Sequence, residues 1–171
     1  MKHFLGNLAA CAAAVAALCA CGCATHGPRF PVSGSQLNWM EIAYRPARPG
    51  QNPVRVSLLG TGAITLKTGS SPQVMNSFAV DTRNSSWNDV DEVRAEIPQE
   101  EMQSVFQQFI DNGVTDSPRS DKKAGKTPGK AFVMIGGRID KEKIRRATDD
   151  PQLVKMVERL IKWTAEQEAS R

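Results

Sequence analysis

Val54-Arg55-Val56-Ser57-Leu58, then Gly60-Thr61-Gly62, then Ala63-Ile64-Thr65-Leu66-Lys67: this run carries the clearest structural signal in the chain. Apolar and polar residues alternate with a period of two on both sides of a glycine-flanked triplet. That is the pattern of an antiparallel hairpin with one face in a core and the other toward solvent. Glycine at both ends of the turn is expected to supply the positive φ that hairpin loops need.

Working outward, Leu37 to Tyr44 reads as a strand stopped by a connection containing Pro46, Pro49, Gly50 and Pro53. Residues 69 to 92 open with a Gly69-Ser70-Ser71-Pro72 turn, and Val74 to Val80 is a candidate strand. Val93, Ala95 and Ile97 alternate with Arg94 and Glu96 and lead into Pro98, expected at the first position of a helix, where Glu100 and Glu101 complement the dipole. Met102, Val105, Phe106, Phe109 and Ile110 share one face of that helix, and Asn112-Gly113 stops it.

Ser117 to Gly129 is polar, basic and broken by proline and glycine, as in a long exposed loop. Ala131 to Ile135 reads as a buried strand, Gly136-Gly137 as a turn, and Arg138 to Ile144 as a further strand. A last helix is expected to be capped by Asp149 or Asp150, with Pro151 in its first turn and Val154, Val157, Leu160, Ile161 and Thr164 facing inward. The expected fold is α+β: a mainly antiparallel sheet of five to six strands with two amphipathic helices packed on one face.

The N-terminal residues speak of location. All four cysteines, Cys11, Cys19, Cys21 and Cys23, fall in the first 23 of 171 residues, in an alanine-rich apolar run after Lys2 and His3. A disulfide-stapled domain would spread them. The apolar run from Leu8 to Ala20 is shorter than the ~20 residues a membrane span needs. It has instead the parts of a secretory signal. Leu18-Cys19-Ala20-Cys21 resembles the lipobox of bacterial lipoproteins, with leucine three residues before a cysteine and a small residue directly before it. Cys19 departs from the pattern, and a second frame ends at Cys23 but puts Ala20 where leucine belongs.

The resemblance implies a cysteine that carries a diacylglyceryl thioether and an N-acyl chain such as palmitate, and that begins the mature protein. Cys21 is the better frame, Cys23 the alternative, and cleavage near Ala24 without lipid is the plain signal-peptide reading. Neither Gly22 nor Ala24 is the aspartate that retains such proteins at an inner membrane, so the outer membrane is the expected location in an organism that has one.

The expected organisation is therefore a signal peptide at 1–20, a lipidated N-terminus and flexible tether at 21–36, one domain at 37–167 and a disordered tail at 168–171. Pro28, Pro31, Gly27 and Gly34, with few apolar residues around them, suggest the tether. With Cys21 alkylated, Cys23 is the only thiol left and no intrachain disulfide can form. Residues 54 to 115 also loosely resemble small uncharacterised lipoprotein domains of bacteria, a likeness that brings no active site with it.

The mature chain holds one histidine, His26, which argues against Ser-His-Asp, Cys-His or His-rich zinc chemistry. Gly125-Lys126-Thr127 imitates the end of a phosphate loop, but Ser120 stands where its first glycine belongs and Pro128 where its helix must start. Ser120 and Lys123 have a Ser-Lys spacing without an apolar pocket to activate the lysine. Glu100-Glu101 and Asp149-Asp150 are read as helix-start charges, and Asp89-Asp91-Glu92 as a solvated turn without calcium-loop spacing. No metal, cofactor or nucleic acid is expected. Trp39 and Trp163 are assigned to the core, while Trp87, among Asn and Ser, is the candidate for sugar stacking.

Charge is distributed unevenly. Residues 81 to 116 carry nine acids against two bases, whereas residues 117 to 146 carry ten bases against three acids. Mutual neutralisation inside the fold explains such a split as simply as binding does. As a binding surface, Arg119, Lys122, Lys123, Lys126 and Lys130 are the expected contact for an acidic envelope partner or a phosphate-bearing lipid or glycan. The expected function is that of a non-enzymatic, lipid-anchored envelope protein with a binding domain. The rival expectations are a carboxylate-based hydrolase or glycan-processing enzyme, and a lipid-binding module.

Overall fold

A computed structural model of the chain describes residues 27 to 69, 91 to 116 and 129 to 169. The expected hairpin is present as β2 (Val54–Leu59) and β3 (Ala63–Thr68), flanked by β1 (Trp39–Arg45) and β4 (Asp91–Glu96). Helix α1 (Gln99–Asp111) follows β4; then come β5 (Phe132–Ile139), β6 (Glu142–Thr148) and helix α2 (Pro151–Ala169). All neighbouring pairs are antiparallel, in the order β4-β3-β2-β1-β5-β6. The fold is α+β, with a six-stranded antiparallel sheet and two helices packed against it.

Strand alternation explains which face carries the helices. Met40, Ile42 and Tyr44 of β1, Val54, Val56 and Leu58 of β2, Ile64 and Leu66 of β3, and Val133, Ile135 and Ile139 of β5 all point to one side. They meet Met102, Phe106, Phe109 and Ile110 of α1 and Leu153, Val154 and Val157 of α2, closing one continuous core. Helix α2 contacts β3, β4 and β5, so it lies across the sheet instead of along one strand. Asp150 caps it, its Oδ1 accepting hydrogen bonds from the amides of Gln152 and Leu153 at 2.8 and 3.3 Å. Helix α1 starts one residue later than expected, with Pro98 at the cap and its carbonyl accepting from the Met102 amide.

Three expectations need correction. Gly136-Gly137 is not a turn but lies inside β5; the turn is at Asp140-Lys141. Glycine there serves close approach: a Cβ on Gly137 would stand 2.4 Å from the Trp39 carbonyl oxygen and 2.9 Å from the Met40 Cα. In the β2–β3 turn only Gly62 has positive φ, at 102°; Gly60 is required because a Cβ would meet the Ser35 carbonyl oxygen at 2.2 Å. Asp91 and Glu92 form the start of β4 and not a solvated turn.

The tether is the largest difference. From Gly27 onward the chain is strapped along α1, running opposite to it. Gln99, Gln103 and Gln107, four residues apart on one helix stripe, bond alternate residues of the extended segment. Gln107 donates to the Phe30 carbonyl and accepts from the Val32 amide at 2.8 Å; Gln103 donates to the Val32 carbonyl at 2.6 Å; Gln99 donates to the Gly34 carbonyl. The match is geometric: two extended residues advance ~6.7 Å and four helical residues ~6 Å. Val32 is buried and Phe30 packs on the core. Composition suggested a tether because only two apolar residues are needed here, the polar backbone being satisfied by glutamines in another element. Residues 21 to 26 of the expected tether lie outside the described residues, and α2 continues to Ala169, past the expected domain end.

Candidate functional site

The face of the sheet away from the helices carries the chemistry that the core does not use. Its residues are fixed by register: Trp39, Glu41, Ala43 and Arg45 on β1, Arg55 and Ser57 on β2, and Thr65 and Lys67 on β3. Glu92 and Arg94 continue it on β4, Phe132, Met134 and Arg138 on β5, and Lys143 and Arg145 on β6. Trp39 belongs to this face, not to the core, because Met40, Ile42 and Tyr44 occupy the alternate positions. Trp163, in contrast, packs against the core as expected.

At the centre, Glu41 and Arg55 form an ion pair of 2.7 Å with side chains only 7% and 5% exposed. They sit diagonally, since Glu41 faces Ser57 and Ala43 faces Arg55. Ala43 and Phe132 are buried on the same side, outside the helix-covered core, and the Arg45 guanidinium lies 5.3 Å from the centre of the Phe132 ring. Breaking such a desolvated pair by removing one member costs about 3–5 kcal/mol, because the other charge is left behind. The pair also fixes register, as a one-residue slip of β2 would turn Arg55 into the apolar core.

The two ends of this face differ. At the β3–β4 end charges are matched: Glu92 binds Lys67 at 2.7 Å and Arg94 at 2.6 Å. The hydrogen bond from Lys67, with help from Arg94, holds the Glu92 carboxyl below its usual range. At the β5–β6 end Arg138 stands directly opposite Lys143, Arg145 follows two residues along β6, and Lys141 occupies the turn. All four are exposed. Arg138 donates to the Asp140 carbonyl, and among the described residues no ion pair engages Lys141, Lys143 or Arg145. The hairpin has two acids. Glu142 pairs in register with Ile139 and so belongs to the opposite face, and the Asp140 carboxylate is engaged by the Ser33 amide at 2.9 Å and the Ser33 hydroxyl.

Asp140 has φ of 54°, an unusual value for a residue with a side chain. The surroundings hold it there: its amide donates to Asn38 Oδ1 at 2.7 Å. Burial pulls the Asp140 carboxyl upward, but hydrogen bonds from Ser33 and Asn38 outweigh it and leave the group below its ordinary value.

The strap reaches the β5–β6 end of the sheet from the helix-covered face. The Gly27 amide donates to Asp116 Oδ1 at 2.7 Å, and Arg29 binds both Asp116 oxygens at 2.8 and 3.0 Å. Arg29, followed by the Gly27 amide, lowers the Asp116 carboxyl below its usual range against the pull of burial. Arg146 of β6, buried on the helix side, donates to the carbonyls of Gly113 and Asp116. A cation at the carbonyls that follow the C-terminus of α1 is favoured by the helix dipole, which explains a charge in an apolar layer. The N-terminal segment thus joins the fold beside Arg146 and runs to the β5–β6 turn, where Ser33 meets Asp140.

Of the residues singled out by sequence, Lys130 is described: it is exposed, 3.9 Å from Asp149. Arg119, Lys122, Lys123, Lys126, Cys21, Cys23 and Trp87 lie outside the described residues. Among the described residues no group of three His, Cys, Asp or Glu side chains is placed to hold a metal, and no helix is long and apolar enough to cross a membrane. No family model matches the chain, and neither a curated protein nor a solved structure matches it significantly.

Proposed function

We propose that the chain is a lipid-anchored protein of a bacterial cell envelope whose α+β domain binds an acidic envelope component without catalysing a reaction. The observation that carries this reading is Leu18-Cys19-Ala20-Cys21 at the end of the apolar run. Two or more acyl chains on one cysteine turn a marginal membrane attachment into a stable one, each buried methylene contributing about 0.8 kcal/mol. The strap supports it, since the chain is already bound to the domain at Gly27, with five residues between Cys21 and Gly27. Arg119, Lys122, Lys123 and Lys126 are proposed to supply part of the basic contact.

Intact-mass measurement of membrane-extracted protein tests the anchor. The expected result is a chain that begins at Cys21 and carries diacylglyceryl and N-acyl groups, lost in Cys21→Ser and kept in Cys23→Ser. An unmodified N-terminus beginning after Cys23 would overturn it.

A further inference from the structure

We infer that the β5–β6 hairpin is a membrane-docking surface: Arg138, Lys141, Lys143 and Arg145 form a cationic patch for the anionic lipid headgroups of the bilayer that holds the anchor. The inference rests on the anchored reading above and names the acidic component as lipid phosphate. Three observations carry it.

The first is charge. Like charges directly opposite on neighbouring strands destabilise a sheet, yet Arg138 faces Lys143 with no acid between them. At the other end of the same face Lys67, Glu92 and Arg94 are matched within 2.7 Å. Among the described residues no ion pair engages Lys141, Lys143 or Arg145, and Glu142 belongs to the opposite face. An exposed row of cations at one end of the face, with a matched cluster at the other end, is complementary to an external anionic surface.

The second is the point of attachment. Gly27 is bound to Asp116, whose carbonyl accepts from Arg146, the residue after Arg145 on β6. Ser33 then ties the strap to Asp140, the residue before Lys141. The N-terminal chain therefore meets the fold at the sheet edge that carries the patch, at Arg146 on the helix-covered face and then at Asp140 in the turn between the two faces.

The third is length. Only five residues separate Cys21 from Gly27, six chain steps that reach at most ~20 Å when fully extended. With a leash of that reach, a bilayer at the anchor is the nearest extended anionic surface to β6. A protein partner would have to enter the same gap, so lipid is favoured over a protein.

The test uses the mature chain with Cys21→Ser and Cys23→Ser, which no lipid can join, so that its outcome is independent of the anchor. Sedimentation is measured with phosphatidylglycerol–phosphatidylcholine vesicles and with phosphatidylcholine alone. Each cation near an anionic surface is worth about fivefold in partitioning, so Lys141→Gln/Lys143→Gln/Arg145→Gln is expected to weaken binding to the anionic vesicles on the order of a hundredfold. The control, Lys155→Gln/Arg159→Gln/Lys162→Gln on exposed positions of α2, changes net charge equally and is expected to keep most of the binding. Equal losses in both triple variants would overturn the inference, as would absence of binding to anionic vesicles or cross-linking of the hairpin to a protein in its place. None of these failures touches the intact-mass result, which tests the anchor separately.

Discussion

Removing one rung of the glutamine ladder should release the strap before it unfolds the domain. Gln107→Ala deletes the acceptor of the Val32 amide, the donor to the Phe30 carbonyl and a 2.9 Å contact with Asp111. Val32 is only 4% exposed, so its amide cannot simply turn to water. An unsatisfied buried donor costs about 1–3 kcal/mol, and the lost bond to Phe30 adds about 0.5–1 kcal/mol. Alanine returns a few tenths of a kcal/mol through helix propensity. The expected loss is therefore about 1–3.5 kcal/mol. Detaching the strap costs a comparable amount, since it exposes Val32, worth about 1.5–3 kcal/mol when fully buried. The substitution should accordingly appear as local opening.

Hydrogen exchange read residue by residue distinguishes the outcomes. The Val32 amide should exchange about ten- to a hundredfold faster, a protease should gain access to residues 27 to 36, and amides of β1 and β2 should keep their protection. Unchanged Val32 exchange would refute the ladder. Equal acceleration at Val32 and Ile42 would show that strap and sheet open as one unit, which contradicts the reasoning.

Other outcomes follow from the same geometry. The chain has one tyrosine, so phenolate absorbance reads Tyr44 alone. Burial first, and its 2.6 Å hydrogen bond to Glu158 second, raise Tyr44 above its ordinary range, so a pH titration should show no phenolate in the folded protein near pH ~10. Because the folded value lies above the unfolded one, this contribution is complete below pH ~10 and lost above it; Tyr44→Phe should flatten that alkaline decline. Asp116 works in the opposite direction: its folded value is depressed, so its contribution is present above pH ~4 and lost as pH falls through the folded value. Thermal melts of Asp116→Asn should show a constant deficit above pH ~4 that shrinks below it. Gly137→Ala should destabilise by about 1–3 kcal/mol in urea denaturation, because the added carbon meets backbone of β1 that cannot rotate away.

What could be read in the sequence was whatever depends on short-range periodicity. The β2–β3 hairpin, the stripe of Met102, Phe106, Phe109 and Ile110, and the Asp150-Pro151 start of α2 all carry their signal within one element. Features that depend on pairing two distant elements were not visible. Gln99, Gln103 and Gln107 look like an ordinary solvent stripe until the N-terminal segment is laid against them, and only then does Gly27 to Gly34 stop reading as a tether. Glu41 and Arg55 each sit among apolar residues, and their diagonal contact requires the β1–β2 register. Arg146 breaks the alternation of β6 because it serves the end of α1, not its own strand. Gly136-Gly137 reads locally as a turn, while its real constraint lies across the sheet at Trp39 and Met40. The basic stretch from 117 to 146 pointed to a charged surface; the fold divides its second half between the exposed row of Lys141, Lys143 and Arg145 and the buried Arg146.

In the proposed arrangement an anchor at Cys21 and the strap bound from Gly27 onward hold the β6 edge of the sheet at the membrane. Energy transfer from single fluorophores on the lipidated protein, in a Cys23→Ser background, to acceptors in the headgroup layer of vesicles measures it directly. Dyes placed at Lys143→Cys on β6 and Arg94→Cys on β4 are separated by five strand spacings, ~24 Å. Much stronger transfer from position 143 than from position 94 is the predicted result. Equal transfer from both, or stronger transfer from position 94, would contradict the account.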